Sequence, residues 1–335
     1  MKPGRDWGLI MYRTLRSALL YVLISVACAH AQRVGTVNAT QRLVKGENEL
    51  IVSWMTGRLN NEQGDQINVF DEQGHPLLGL NVLRLVPDAS RVSIYDVAVR
   101  PGALIAVAAV YGSKQGNQVV RPAATLLLFD FQGRLLSSFV LQPWREICRM
   151  AVDDHSNIWT LTDGADDKNP GDVPMVVEYS PSGTVLKELL PRSMFPLHAR
   201  HTWEGNGNAV MGYDSGVVWF WLPVSTERVT IAAEDGKWQI VKTQLPKRQG
   251  YTETPLRLVG NASHMIAAVR EDGEHGQHDL AYYSWLPSKE AWVPFKPGLC
   301  QGDFPIGLGK SGQVYIGRST PADVCLFRLE DVEAH

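Results

Sequence analysis

The chain has 335 residues, 44% of them hydrophobic, with a formal net charge of −3. That is ample length for a large core, in one repeat domain or two ordinary ones. A near-neutral balance without a long basic run argues against nucleic acid as a partner, because phosphate binding needs clustered Lys and Arg.

The N-terminus carries basic residues in "MYRTLRSALLYVLISVACAHAQ", then an apolar core from Ala18 to Ala29, then Ala29-His30-Ala31 ahead of Gln32. A positive flank, a short apolar run and small residues before a polar one make a secretory signal peptide over residues 1–31. The run is shorter than the roughly 18 residues that a spanning helix needs. This predicts cleavage after Ala31 and an extracytoplasmic product, periplasmic or secreted. A second reading takes Cys28 as the acylated cysteine of a lipoprotein signal, since Val26-Ala27 precede it, although Ser25 stands where a larger aliphatic is usual. Met11 serves equally well as the start.

An exported chain can form disulfides. Cleavage at Ala31 leaves Cys148, Cys300 and Cys325, an odd number that forces at least one free thiol. Cys300 and Cys325 share the C-terminal segment and could pair; the alternative is that all three are small buried apolar residues.

Residues 32–335 repeat one grammar. In "RMAVDDHSNIWTLTDG", from Arg149 to Gly164, two apolar runs flank a polar turn, which predicts a β-hairpin. The pattern recurs as "DVAVRPGALIAVAAV" from Asp96, "HTWEGNGNAVMGY" from His201, "RLVGNASHMIAAV" from Arg257 and "IGLGKSGQVYIG" from Ile306. A second hairpin follows each time, after a variable gap: "INVFDEQGHPLLGL" from Ile67, "LLLFDFQGRLLSSF" from Leu126, "VVEYSPSGTVLKEL" from Val176, and the looser "VWFWLPVSTERVTI" from Val218 and "AYYSWLPSKEAWVPF" from Ala281. Four short strands recurring every roughly 40–50 residues are the signature of an all-β protein, a β-propeller. Helical periodicity is nearly absent. The predicted units are 43–84, 93–141, 147–191, 198–233, 255–296 and 303–330, about six four-stranded antiparallel blades. The last shows only three strands, and residues 33–42 are available to supply its fourth.

The unit "MAVDDHSNIWTLTDG" plus "VVEYSPSGTVLKEL" resembles the repeats of six-bladed propellers of the NHL and TolB-like kind. There, an apolar strand, an Asp/Gly turn, a strand with an aromatic and a Y/F-x-x-x-G turn recur. The usual Asn-x-Arg-[Ile/Val] segment is missing after Thr162, replaced by "DGADDKNPGDVP". The resemblance implies fold and transfers no function.

In a propeller, first-to-second and third-to-fourth turns open on one rim, and second-to-third connections on the other. The first class is short here. The second is long and polar: "TGRLNNEQGDQ" from Thr56, "GSKQGNQVVRPAA" from Gly112, "DGADDKNPGDVP" from Asp163 and "EDGEHGQHD" from Glu271. Long loops gathered by rigid blades are where binding residues concentrate, so this rim is the expected functional face. Registering inner strands on Val99, Val152 and Trp203 places Asp96, Arg149 and Arg200 in one column at the axial mouth. Two arginines and an acid there suit a carboxylate-bearing ligand; alternatively these charges satisfy one another and the inner-strand carbonyls.

"EDGEHGQHD" is the most metal-like string, and His275 and His278 are weak candidate ligands for a divalent cation. No cofactor is otherwise expected. "DDHSN" lacks the alternating oxygens and closing glutamate of a calcium loop and reads as a turn. "GLGKSG" from Gly307 matches G-x-G-x-x-G, but strand-like "QVYIG" follows where a phosphate-binding helix must start. There is no G-x-S-x-G and no H-E-x-x-H. Asn38 and Asn261 head glycan acceptor triplets that matter only in a eukaryotic secretory pathway. Trp159, Trp219 and Trp221 read as inter-blade packing rather than a sugar platform.

Two functions are compatible with this pattern. The first is an exported binding or scaffold module that holds a protein, a peptide or a small anionic ligand through the long-loop face. The second is a lactonase- or esterase-like propeller hydrolase with an axial metal, which needs several acidic, Asn or His ligands on inner strands.

Overall fold

The computed structural model describes residues 31–38, 43–47, 50–54, 66–86, 89–115, 118–119, 123–141, 145–164, 173–195, 209–222, 226–261, 264–273, 276–286, 289–295, 303–308, 314–319 and 323–329. The chain opens with β1 (Ala31–Asn38), then a first antiparallel set of β2 (Leu43–Glu47), β3 (Leu50–Trp54), β4 (Gln66–Asp71) and β5 (Pro76–Asn81). One turn of helix, Val82–Leu85, is capped by Asn81, whose side chain accepts from the Arg84 N–H. The second set is β6 (Ala89–Arg100), β7 (Leu104–Gln115), β9 (Ala123–Phe129) and β10 (Leu135–Val140), with the short β8 (Gln118–Val119) paired to the end of β7. The third is β11 (Arg145–Val152), β12 (Ile158–Gly164), β13 (Pro174–Tyr179) and β14 (Val185–Pro191). The fourth is β15 (Val210–Asp214), β16 (Val217–Leu222), β17 (Glu227–Ala232) and β18 (Trp238–Lys242), and the fifth is β19 (Tyr251–Gly260), β20 (Met265–Gly273), β21 (His278–Leu286) and β22 (Ala291–Phe295). The chain ends with β23 (Asp303–Leu308), β24 (Val314–Ser319) and β25 (Asp323–Leu329).

The first strand of each set lies beside the first strand of the next: β6 by β11, β11 by β15, β15 by β19, β19 by β23, and β23 by β2, while β3 lies by β6. The arrangement is a closed ring of radial sheets, a β-propeller. Its two chain ends meet where β1 pairs antiparallel with β25, from Ala31–Leu329 to Asn38–Asp323.

Each sheet buries both faces, which is why its strands are apolar throughout rather than alternating. In β7, Ile105, Val107 and Ala109 face the first set, against Val52, Trp54 and Val69. The intervening Leu104, Ala106 and Ala108 face the third set, against Met150, Val152 and Ile158. The same division places Trp159 and Leu161 against Met211, Val218 and Phe220, and Trp221 against Met265, Trp285 and Trp292. Trp159 and Trp221 are fully buried, and Trp219 nearly so. The tryptophans are therefore packing residues, as expected; the Trp221 Nε1–H donates to Thr243 Oγ1 and the Trp292 Nε1–H to the Thr243 carbonyl.

Two expectations are corrected. The described residues form five hydrogen-bonded sheets rather than six, because the first and last sets merge into one of eight strands, β1-β25-β24-β23-β2-β3-β4-β5. The two halves join at a single parallel bridge, Gly46–Gly307, where neither residue has a Cβ to hold the backbones apart. The fourth unit was expected at 198–233 and is strand-shifted: its four strands run from Val210 to Lys242. The first turn of this sheet is Asp214-Ser215-Gly216-Val217, with Asp214 paired to Val217 and positive φ at both Ser215 (50°) and Gly216 (83°); the expected turn "GNGN" lies outside the described residues. Two residues at positive φ are what a type I′ hairpin requires.

On one rim the turns repeat a single device. Asp71 Oδ1 accepts from the N–H groups of Gln73 and His75, Asp130 Oδ1 from Gln132 and Arg134, and Asp153 Oδ1 from His155 and Asn157. Ser180 Oγ takes the Thr184 N–H in the same way. The fourth residue of each turn sits at positive φ: Gly74, Gly133, Ser156 and Gly183. The glycines also serve packing. A Cβ on Gly183 would lie 2.6 Å from the Phe139 ring on the preceding blade, and one on Gly133 3.2 Å from Leu80.

Candidate functional site

Four of the strands nearest the axis carry the same irregularity. The pairing register slips by one residue between Ile94 and Asp96 in β6, between Ile147 and Arg149 in β11, between Pro255 and Arg257 in β19 and between Pro305 and Gly307 in β23. A bulge leaves the inserted residue unpaired and bends the strand there. The residues that follow the slip are Asp96, Arg149, Arg257 and Gly307, with Gly46 bridged to Gly307. They form one layer around the axis.

Asp96 is buried, and its Oδ2 accepts the Met150 N–H at 2.7 Å, tying β6 to β11. Arg149 is half-buried; its Nε–H donates to the carbonyl of Ala209, just before β15, and Nη1 donates to the Cys148 carbonyl freed by the bulge. Asp96 and Arg149 thus both serve backbone groups of neighbouring strands or of the segment leading into them. Arg200 lies outside the described residues. The fourth inner strand starts beyond it, at Val210.

The residue missed in this layer is Arg257. It is closely surrounded, yet part of its surface stays in contact with solvent. Burial, with the nearby Arg149 charge adding to it, pulls its guanidinium pKa down to about 10. Two positive charges in one partly desolvated layer oppose each other. The signal was present in the sequence: Asp96, Arg149 and Arg257 each stand four residues before the residue opening the first turn, Arg100, Asp153 and Asn261.

The metal-like string lies at the other rim of the fifth set, where β20 gives way to β21. His275 is outside the described residues. His278 is exposed, and its Nδ1 is 2.6 Å from Asp272 Oδ1. That hydrogen bond is the main cause holding the Asp272 carboxyl below its ordinary value, with Arg270 assisting. Glu271 is buried, accepting from Tyr283 OH at 2.7 Å and from Arg248 Nη1 at 2.9 Å; Arg248 also reaches Asp279 at 3.0 Å and lies over the Tyr251 ring. Desolvation, reinforced by the Glu271 carboxylate, pushes the Tyr283 phenol up to about 12. These acids face cations and a phenol of the same blade. Among the described residues, no group of three or more His, Cys, Asp or Glu is arranged to hold a metal. Cys148 is buried and in no disulfide among the described residues; Cys300 and the side chain of Cys325 lie outside the described residues.

No family model matches the chain, and no curated protein matches it. Solved structures do resemble it at low identity. The RRP9 WD40 repeats share 11% identity over 90% of this chain and 95% of theirs, with a TM-score of 0.47. The major allergen Mala s 1 of Malassezia sympodialis shares 10% over 91% and 98%, also at 0.47. A protein of unknown function from Bacteroides caccae shares 11% over 79% and 81%, at 0.39. The sheet order above, not these likenesses, carries the fold assignment.

Proposed function

We propose that this chain is an exported β-propeller that acts as a binding or scaffold module, holding a partner protein or peptide on the rim of its long second-to-third connections. The observation that carries this reading is the difference between rims. Turns on one rim close on their own Asp or Ser acceptors and glycines. On the other rim, the second-to-third connections of the first three units are long, polar and different in sequence, from Trp54 to Gln66, Gln115 to Ala123 and Gly164 to Pro174, while those of the fourth and fifth, from Leu222 to Glu227 and from Gly273 to His278, are short; the long ones are where a rim could diversify for recognition. We count the eight-stranded sheet as two blades, divided at the Gly46–Gly307 bridge, which makes the ring six-bladed and consistent with the NHL and TolB-like resemblance. Export rests on the signal-like residues 1–31. Among the described residues no helix is long and apolar enough to cross a membrane.

The test replaces residues 165–172 by Asn-Gly and compares crosslinking capture of partners with the unaltered chain, at matched folded concentration. Loss of a reproducibly captured partner with an intact fold is the expected result. Capture at the unaltered level by chains shortened at each long connection in turn would overturn the reading.

A further inference from the structure

We propose that the strand which closes the ring overlaps the site of signal removal, so that cleavage after Ala31 has to precede closure. This rests on the export reading above. β1 is paired from its first residue: Ala31 lies opposite Leu329, Gln32 opposite Arg328 and Arg33 opposite Phe327 on β25. The bond between Ala31 and Gln32 therefore belongs to a strand ladder of the folded chain rather than to a tail ahead of it. The same ladder joins the two chain ends, because β1 is the first strand described and β25 the last. Docking β1 and drawing the bond into the ladder are one event.

Leu329, Arg328 and Phe327 are at the same time paired with Val314, Tyr315 and Ile316 of β24, so β25 is held between two strands and only β1, at the edge of its sheet, is able to peel. Cleavage needs the bond withdrawn from its partners into the cleft of a peptidase, with extended backbone on both sides of it. The register marks the segment that has to open, since it slips between Arg33 and Gly35. A bulge interrupts the ladder there, so the pairs to be broken are those of Ala31, Gln32 and Arg33, and the rest of β1 can stay docked. A protease acts on such a segment in proportion to the population of its open form. Closure therefore slows removal of residues 1–31. Leu329 lies beside Val314, the first residue of β24, which places the bond on the rim of the first-to-second turns, away from the connections proposed for recognition.

The test compares three substrates of a signal peptidase in the same detergent: a peptide of residues 12–38, the folded full chain, and the folded full chain with a Gly-Ser-Gly-Ser-Gly-Ser spacer inserted between Gln32 and Arg33. The spacer moves the bond out of the ladder and leaves Arg33 to Asn38 free to pair as before. Products are read by mass. The peptide and the spacer chain should be cut after Ala31 at comparable rates, and the unaltered folded chain about tenfold or more slowly. Matching melting curves for the two chains exclude unfolding as the reason for the faster cleavage. Equal rates for both folded chains overturn the proposal and leave the export reading standing. A peptide that is not cut after Ala31 overturns both.

Discussion

The two rims of the ring treat the same structural problem, joining antiparallel strands, in opposite ways. On the tight-turn rim Asp71, Asp130 and Asp153 each hold two backbone N–H groups, and Gly133 and Gly183, at positive φ, lie against the preceding blade. On the opposite rim the fifth blade extends its strands past the ring and ties them with Arg248, Glu271 and Tyr283. The first solution couples blades and constrains sequence. The second is local to a blade, so its sequence can change without disturbing its neighbours.

The largest expected effect sharpens this contrast at Gly183. Gly183→Ala must accommodate a Cβ 2.6 Å from Phe139 at a φ of +89°, and should cost about 2–4 kcal/mol in denaturant unfolding from overpacking and backbone strain together. The same substitution at Gly276, which has φ +74° but nothing within 4 Å, should cost only about 1 kcal/mol. Equal losses at the two sites would break the comparison.

Asp153→Ala comes next. It removes the acceptor of the His155 and Asn157 N–H groups and of the buried Trp159 Nε1–H, and should cost about 1–3 kcal/mol, the range for a buried donor left unsatisfied. A thermal melt should show this loss with no change in partner capture. A smaller effect of opposite sign is expected at Ser156, which holds φ 65° where three sister turns have glycine. Ser156→Gly should stabilise by about 0.5 kcal/mol, since relief of strain is partly offset by loss of the Arg100 Nη1 to Ser156 Oγ bond.

A pH dependence gives the gentlest test. Burial lowers the pKa of His264, whose Nε2 meets Ser284 Oγ at 2.9 Å. The folded state thus takes up the proton at lower pH than the unfolded chain does. Its contribution is complete above the unfolded value of about 6.5 and is lost as pH falls toward the folded one. The melting temperature should fall as pH drops below about 6.5, and His264→Asn should flatten that slope.

Much of this was legible in the sequence, for identifiable reasons. Apolar strands and Asp-x-x-Gly turns report the blades because both faces of each sheet are buried and because αL positions select glycine. The fourth blade misled because "GNGN" is a stronger glycine cluster than the two-residue turn Asp214-Ser215-Gly216-Val217 that the chain uses. That shift moved the expected axial column onto Arg200, whereas Arg257 was legible from its place four residues before Asn261, the spacing that Arg149 keeps to Asp153. The bulges that aim Asp96, Arg149 and Arg257 at the axis leave no mark in composition, since Tyr95, Cys148 and Leu256 look like ordinary strand residues. The merging of the end blades depends on a single bridge between Gly46 and Gly307, a tertiary approach that local pattern does not encode.

The central claim, that one rim holds the ring together while the other is free for recognition, is tested most directly by calorimetry of the chain in which Asn-Gly replaces residues 165–172. The account predicts a melting temperature within about 2 °C of the unaltered chain, because the described contacts that couple the third blade to its neighbours lie in its strands and on the tight-turn rim. A fall of about 8 °C or more would place that connection in the stabilising framework and contradict the division of roles.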